Sequence, residues 1–512
     1  MTAATSQENL LQQQQSERTL QSSPSHLWWL LAAGALLLVA DGRNTIALAA
    51  WLAPACLLRY VRSERPLRGL AAAYLALAVM RGISYRGMTP IPGIFYYIFL
   101  LISSVSALLP YLLDRLLAHR VRGLAKTLIF PCTLVAAQFV YAHGPHGSWG
   151  TLAYTQAGNL PLLQLLSVTG LSGITFLIGW FAAVLNQTWE QPRGLRPLAA
   201  FATVYLAVIL GGGARIAFFR PWSPTVRVAS LSPGKYAYQA SPQLPDGILT
   251  EEATNAQVTA FRGASREAGD AMLAGSEREA AAGAKIIFWS ETAVYVLAED
   301  EPALLDSGRD LAMKYHIYLG MALGTWTPGA QRPLQNKLVL IDPTGHIAWQ
   351  YLKARPTPGP EAAAAARSDG KLRSLDTPYG RLLGAICYDT DFPPLMAQAG
   401  RSEADIVLSP AGDWRAIDPR HTEIASFRAI EQGFNLVRQS HGGLSAAYDY
   451  QGHLLSQMDE YQAKNLSLVA EVPTRGVRTL YSRFGDWFAW LSIGTLLVLA
   501  FLGTRNSTAK VD

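Results

Sequence analysis

A chain of 512 residues is longer than one ordinary domain. At 50% hydrophobic and 16% charged, with mean hydropathy +0.15, it falls well short of the roughly 25% charge of soluble domains, which excludes a wholly water-exposed protein. The net charge of +6 is uneven: the first 220 residues hold 16 Lys/Arg against 6 Asp/Glu and the rest hold 27 against 31, so the basic excess lies among apolar segments and reads as membrane topology, not as a nucleic-acid footprint.

Residues 1–25 are polar and low in complexity ("SQENLLQQQQSERTLQSSPS"), without a basic segment and small-residue cleavage site, and are expected as a disordered cytoplasmic tail. Seven apolar stretches follow, near 27–40, 45–61, 67–84, 91–113, 124–142, 162–186 and 197–219, with an eighth at 485–503. A spanning helix needs about 20 residues, so eight spans are predicted. Alternate loops are basic. Arg59, Arg62, Arg65 and Arg68 lie between the second and third spans; Arg115, Arg120, Arg122 and Lys126 between the fourth and fifth; Arg193 and Arg196 between the sixth and seventh; Arg505 and Lys510 after the eighth. The positive-inside bias then puts both termini in the cytoplasm and the block between spans seven and eight outside. Trp487 and Trp490 suit an aromatic belt at the start of the last span. Arg215, near the end of the seventh span, is expected to reach towards headgroups. His143 and His146 are expected as interfacial polar residues.

The predicted division is a membrane domain over 26–220, a soluble-type domain over 221–480, a C-terminal span over 481–505 and a cytoplasmic tail over 506–512. Within the soluble-type block, "VRVASLS" and "KIIFW" read as strands around a helix over 251–283. "LLDSGRDLAMKY" reads as a helix and "IYLGMAL" as a strand. "NKLVLIDPTGHIAWQYLK" is a hairpin turning at Asp342-Pro343-Thr344-Gly345. "LLGAICY" and "DIVLSP" are strands. "HTEIASFRAIEQG" is a helix closed by Gly433, with strands "NLVRQS" and "LSAAYD" after it. Alternating strands and helices predict a layered α/β domain.

Three polar groups fall at the ends of apolar strands: Glu291 after "KIIFWS", Lys353 after "HIAWQYL" and Cys387 after "LLGAI". Ligands gather beyond strand carboxyl ends in α/β sheets. A carboxylate can take a thiol's proton and return it, and an ammonium can steady thiolate and oxyanion, which together describe acyl transfer through a thioester. Taken singly, each residue reads equally as a turn residue, a surface lysine or a packed cysteine. Cys56 and Cys132 lie inside apolar stretches and are expected to pack there. No cysteine–histidine spacing suggests a metal site, and the chemistry calls for no cofactor.

The pieces "WSET" around Glu291, "YLKARPTPGPE" around Lys353 and "GAICYDTDFP" around Cys387 resemble the nitrilase (carbon–nitrogen hydrolase) superfamily. With seven spans before the block and one after, the chain resembles the apolipoprotein N-acyltransferases. "GSWGTLAYTQAGNLPLLQLLSVTGLSGITFLIGW" and "DWRAIDPRHTEIASFRAIEQGFNLVRQSHGGLSAAYDYQG" carry the likeness further, to about residues 27–505. The resemblance implies a nitrilase-like α-β-β-α sandwich inserted between helices of an eight-span bacterial inner-membrane protein. It implies Glu291 as general base and acid, Cys387 as nucleophile and Lys353 as stabiliser of tetrahedral states. Glu361, Tyr388, Asp389 and Trp414 would support them. The donor would be a membrane phospholipid and the acceptor the S-diacylglyceryl-cysteine amine of an apolipoprotein. Two departures from the family pattern favour an alternative, a membrane-anchored amidase using another acceptor or water. Asp389 stands where the family has Glu, and "Pro-Thr-Pro-Gly-Pro-Glu" replaces an aromatic-containing run before Glu361.

Overall fold

The computed structural model describes residues 24–91, 93–192, 194–234 and 254–508. Nearly all of the expected tail 1–25 lies outside them, as do Arg193, residues 251–253 and the last four residues of the chain.

The apolar stretches fold as α1 (Pro24–Ala40), α2 (Ala47–Ser63), α3 (Pro66–Ser84), α4 (Gly93–Leu117), α5 (Ile129–Ala142), α6 (Leu171–Glu190) and α7 (Arg196–Phe218). Among the described residues, six helical segments are long and apolar enough to cross a membrane: α3, α4, Gly123–Ala142 containing α5, α6, α7 and Trp487–Arg505 near the C-terminus. The 17-residue α1 and α2 are shorter than this. The span expected over 162–186 is broken. Two short helical turns, Leu160–Leu163 and Leu166–Thr169, precede α6, and Gly170 at φ +61° makes the break. A side chain there would strike the Tyr481 ring. Charges gather at one end of the bundle. Arg62 pairs with the buried Asp114 at 2.8 Å and with Glu190 at 3.1 Å, and Lys126 meets Glu190 at 2.8 Å. Cys56 and Cys132 are buried in α2 and α5 as expected. Arg215 does not turn away from the protein: its Nη1 donates to Gln164 Oε1 at 3.0 Å. Gln164 lies in the broken segment, so this guanidinium is held by the protein itself.

The inserted block has two sheets. The first contains β1 (Thr225–Leu231), β2 (Ile286–Trp289), β3 (Val294–Leu297), β4 (Tyr318–Trp326), β5 (Leu334–Ile341) and β6 (Ile347–Leu352), with β13 (Ser467–Pro473) at its edge, in the order β13-β1-β2-β4-β5-β6 and with β3 on β4. The second contains β7 (Arg373–Thr377), β8 (Gly380–Gly384), β9 (Ile406–Gly412), β10 (Asn435–His441), β11 (Leu444–Tyr448) and β12 (Leu454–Asp459), in the order β12-β11-β10-β9-β8-β7. Phe288, Leu338 and Trp349 of the first sheet share one core with Leu382, Leu408 and Val437 of the second. Helices α8 (Asn255–Ala281) and α9 (Glu301–Tyr315) cover the first sheet, with Met272, Leu305 and Ala312 in that core. Helices α10 (Pro393–Arg401) and α11 (Arg420–Gln432) cover the second, through Met396, Ala399, Ala425 and Ala429. The result is the α-β-β-α sandwich. α12 (Trp487–Thr508) ends the described chain in the bundle, and its Trp487 donates to Val168 O at 2.8 Å.

Each strand and helix predicted in this block has a counterpart. The strand read through "LLGAICY" instead stops at Gly384, and Cys387 opens a tight 3₁₀ turn to Asp391. β3, β7, β12, β13 and α10 were not anticipated. β7 ("RSLDT") and β12 ("LLSQMD") are half exposed and mix polar with apolar residues, which blurs the period-two signal.

Helix α11 is buried on all sides. Ala425 and Ala429 face the second sheet, while Ile424, Phe427 and Ile430 pack with Leu162, Leu166 and Ile174 of the membrane half. Gly433 closes it at φ +82°, where a side chain would meet the Val477 carbonyl. A left-handed residue with a Cβ costs roughly 1–2 kcal/mol before any clash. Gly433→Ala should therefore lower the thermal midpoint of the detergent-solubilised protein by several degrees. An unchanged midpoint would remove Gly433 as the stop that positions α11.

Candidate active site

Strand directions bring the three predicted groups to one edge. β2 runs parallel to β4, β5 is antiparallel to β4, and β6 is antiparallel to β5. β2 and β6 therefore point the same way, and Glu291 and Lys353 leave the same edge of the first sheet. In the second sheet β8 is parallel to β9, and Cys387 leaves beyond β8. The Glu291 amide donates to the Ala411 carbonyl at the end of β9, which ties the two edges together.

Lys353 Nζ lies 2.7 Å from Glu291 Oε1 and 2.8 Å from Glu361 Oε2. Asn336 Nδ2 donates to both carboxylates, at 2.7 Å to Glu291 and 2.8 Å to Glu361. The Thr357 amide adds a further bond to Glu361 at 2.8 Å. The Cys387 thiol donates to the Gly412 carbonyl at 3.7 Å, and the Glu291 charge acts on it across the site. Glu291, Lys353 and Cys387 are all buried.

The electrostatics follow from that packing. Burial raises the Glu291 carboxyl, but the adjacent Lys353 outweighs it and leaves Glu291 below the usual carboxylate range. Burial lowers Lys353, while Glu291 and Glu361 hold it well above the usual lysine value. Burial and then the Glu291 charge push the Cys387 thiol well up, against Lys353. The resting set near neutral pH is carboxylate, ammonium and thiol. Cys387 has φ +50°, and Thr292, directly after Glu291, has φ +44°. Two residues that are not glycine hold left-handed backbone beside the acid and the thiol, where strain of this kind clusters at functional sites.

The supporting residues separate into two groups. Glu361 joins the ion cluster. Tyr388 and Trp414 are half-buried walls of a cavity of about 60 Å³ that also touches Cys387. Trp414 Nε1 also donates to the Gly87 carbonyl, at 2.7 Å, in the loop after α3. Asp389 lies in the scaffold. It is fully buried and accepts from Tyr351 OH at 2.7 Å, the Arg355 amide at 2.8 Å and the Ile386 amide at 3.0 Å. Burial lifts its pKa to about 6. The shorter carboxylate thus still clamps the Cys387 turn to the loop after Lys353.

Sequence reasoning left a second buried cluster without a role. His421 Nδ1 lies 2.6 Å from Asp413 Oδ1, and Arg438 holds Asp413 with two bonds of 2.7 and 3.0 Å. His421 Nε2 lies 3.3 Å from Asp391 Oδ2. Donor atoms of Cys387, Asp413 and His421 lie within 4.8 Å of one another. The guanidinium already on Asp413 makes this an ion-pair network, a poor fit for a metal ion. Asn336 carried no sequence signal, because an Asn inside a strand does not reveal which carboxylates it will meet. His146, expected at an interface, lines the Cys387 cavity and packs on Phe99 at 4.8 Å.

The cavity lies between the two halves. Met88, Pro90 and Phe99 come from α4 and the loop before it, and Trp149 from the segment after α5. A second cavity of about 120 Å³ among the membrane helices shares Phe99, Tyr141 and Trp149 with it. Ser148 anchors the junction: its amide and hydroxyl both donate to the Asp391 carbonyl, at 2.7 Å each. Tyr154, hydrogen-bonded to Ser148, receives Arg428 of α11 at 2.9 Å.

Two family models match this chain. One, described as the apolipoprotein N-acyltransferase N-terminal domain, matches residues 21–184, and the other, described as carbon-nitrogen hydrolase, matches residues 250–480. An apolipoprotein N-acyltransferase of Geobacter metallireducens is 25% identical over 93% of this chain and 94% of its own length. One of Gloeobacter violaceus is 26% identical over 93% and 95%. A solved amidase from Nesterenkonia sp. aligns with 53% of this chain and 97% of its own at 20% identity and TM-score 0.41.

Burial lowers the pKa of His421, but Asp391 and Asp413 on either side raise it to about 9 from an ordinary 6.5. A group whose folded pKa is raised stabilises the fold fully below its unfolded pKa and loses that contribution as pH climbs through the folded one. His421 should contribute roughly 3 kcal/mol below about pH 6.5 and nothing above about pH 9. Thermal unfolding in detergent should show wild type losing stability across this window. His421→Gln should lack that part of the slope, and identical slopes would show that His421 is not charged in the fold.

Proposed function

The chain belongs to the apolipoprotein N-acyltransferase family of the nitrilase superfamily, and from that membership we propose how it moves an acyl chain from a membrane phospholipid to the N-terminal amine of a diacylglyceryl-apolipoprotein. It is a multi-pass membrane protein and an acyltransferase. Both halves match the family, the membrane helices as well as the sandwich, and this favours the acyltransferase over a membrane-anchored amidase.

The observation that carries the mechanism is the buried Glu291 carboxylate paired with the Lys353 ammonium at 2.7 Å, its charge acting on the buried Cys387 thiol. Glu291 takes the thiol proton as sulfur attacks the sn-1 ester carbonyl. Lys353 steadies the tetrahedral oxyanion. Collapse breaks the C–O bond, Glu291 returns its proton to the leaving alkoxide, and the lysophospholipid departs from a Cys387 thioester. The acceptor amine then attacks that thioester, Glu291 takes a proton from nitrogen, and C–S cleavage regenerates the thiol. Glu361 and Asn336 hold Lys353 and Glu291 in register. Tyr388 and Trp414 line the approach, and Asp389 positions the Cys387 turn. The chemistry needs neither metal nor organic cofactor.

The membrane arrangement supports one orientation. The basic loop ends pair with Glu190 and Asp114 at one end of the bundle, and the sandwich docks on Ser148, Tyr154 and Gly87. We place the paired basic end and both termini in the cytoplasm and the catalytic domain, near 221–480, on the outer face. Eight crossings follow when α1 and α2 are counted as tightly packed spans.

Intact mass of the purified protein tests this reading. Wild type incubated with phospholipid should gain one acyl mass, and Cys387→Ala should gain none. Glu291→Gln should form the adduct about 10²–10⁴-fold more slowly. A diacylglyceryl-cysteine peptide should clear the adduct onto its amine. No adduct on wild type would overturn the mechanism, and clearance only as free fatty acid would make the protein a hydrolase.

A further inference from the structure

Asp391 is the fourth residue after the nucleophile, and the mechanism above leaves it without a task. Its side chain is fully buried, and among the described residues neither carboxylate oxygen has a hydrogen-bond partner. A buried carboxylate is costly unless something neutralises it. The 3.3 Å contact with His421 Nε2 is its closest compensation, and His421 already serves Asp413 at 2.6 Å on its other nitrogen.

The ion pairing around Asp391 is shared: His421 serves both Asp391 and Asp413, while Arg438 holds Asp413. Asp391 and its ion-pair partner His421 both line the Cys387 cavity, and among the described residues no lysine or arginine does. The other walls include Tyr141, Trp149, Tyr388 and Trp414, whose ring faces favour a cation. Ser148 holds the Asp391 backbone carbonyl with two bonds and Gly147 lies close against that backbone, which fixes the point from which the side chain extends.

We propose that Asp391 is the docking carboxylate for the α-ammonium of the acceptor, and so sets the choice of an amine over water at the thioester. The inference rests on the thioester mechanism above. The acceptor enters as R–NH₃⁺ and binds Asp391. One proton leaves through that carboxylate to solvent, and the free amine attacks the thioester carbonyl. The C–N bond forms, the C–S bond breaks, and the second proton passes through Glu291 to the departing sulfur. His421, held by Asp413 and Arg438, pairs with the Asp391 carboxylate and is a positioning residue.

An ethanolamine headgroup on the donor would carry the same alkylammonium chemistry, so the test begins after the donor has left. Acyl-loaded wild type and Asp391→Asn are mixed with diacylglyceryl-cysteine peptide, and aminolysis is followed against peptide concentration, with thioester hydrolysis as the internal reference. The variant should show a KM for the peptide raised tenfold or more, the order expected for loss of a charge-assisted bond, and a larger share of free fatty acid. Loading is compared separately with phosphatidylethanolamine and phosphatidylglycerol as donors. A loading defect confined to phosphatidylethanolamine, with normal aminolysis, would assign Asp391 to the donor headgroup and overturn the proposal. So would an unchanged peptide KM.

A second arm uses wild type alone. Unreactive peptide analogues carrying a trimethylammonium or a hydroxyl in place of the amine are compared as inhibitors of aminolysis. The cationic analogue should inhibit at a concentration about tenfold lower, and equal inhibition overturns the proposal even if the variant misfolds. Failure of wild type to form any thioester would instead refute the parent mechanism, and the two failures are therefore distinct.

Discussion

The site depends on one buried ammonium. Lys353 is almost wholly shielded from solvent and sits between two carboxylates, at 2.7 and 2.8 Å. Its charge keeps Glu291 ionised in a place where burial alone would protonate it. Burial, and then the same carboxylate, keep the Cys387 thiol protonated at rest. A site of this kind stores no thiolate. In the proposed mechanism it holds a base ready beside a thiol and makes the nucleophile only as the carbonyl arrives, which also guards the cysteine against stray reaction.

That cluster is assembled by two sheets and aimed by a helix. The first sheet supplies the acid and the ammonium, the second supplies the thiol, and the Glu291–Ala411 backbone bond holds the two edges together. Helix α11 then fixes the sandwich on the membrane half, since its two apolar faces serve two different cores. The Cys387 cavity therefore opens against membrane helices, beside a larger cavity among them. A soluble enzyme would leave α11 amphipathic, with a wet outer face. Here that face is Ile424, Phe427 and Ile430, and it is packed on the membrane half.

Much of this was legible in the sequence because apolar strands announce themselves. "KIIFW", "HIAWQYL" and "LLGAI" end in Glu291, Lys353 and Cys387 with short, fixed spacing, and the strand ends do meet. Glu361 was found through the family pattern eight residues after Lys353. The turn at Cys387 was misread as strand, since hydropathy does not register a single left-handed φ. The break at Gly170 was missed for the same reason: apolar residues continue across it while the backbone does not. Asn336, Asp391 and His421 were invisible as site residues. Their roles are set by what lies across the cavity, and one strand or turn carries no record of its partners.

The two departures from the family pattern have a structural answer. Asp389, one methylene shorter than Glu, still fills both oxygens with three donors, because Tyr351 and the Ile386 and Arg355 amides come to it. The proline-rich run before Glu361 still delivers that carboxylate to Lys353, and the Thr357 amide within the run bonds to it. Neither change touches the acid–ammonium–thiol contacts, so neither points to a different reaction. In the proposed reading substrate choice belongs to the other wall, where Asp391, Tyr388 and Trp414 line the Cys387 cavity from elements that also touch the membrane half. In the proposed reaction bond-making is fixed by the two sheets, and selection among acceptors is fixed where the sandwich meets the membrane helices.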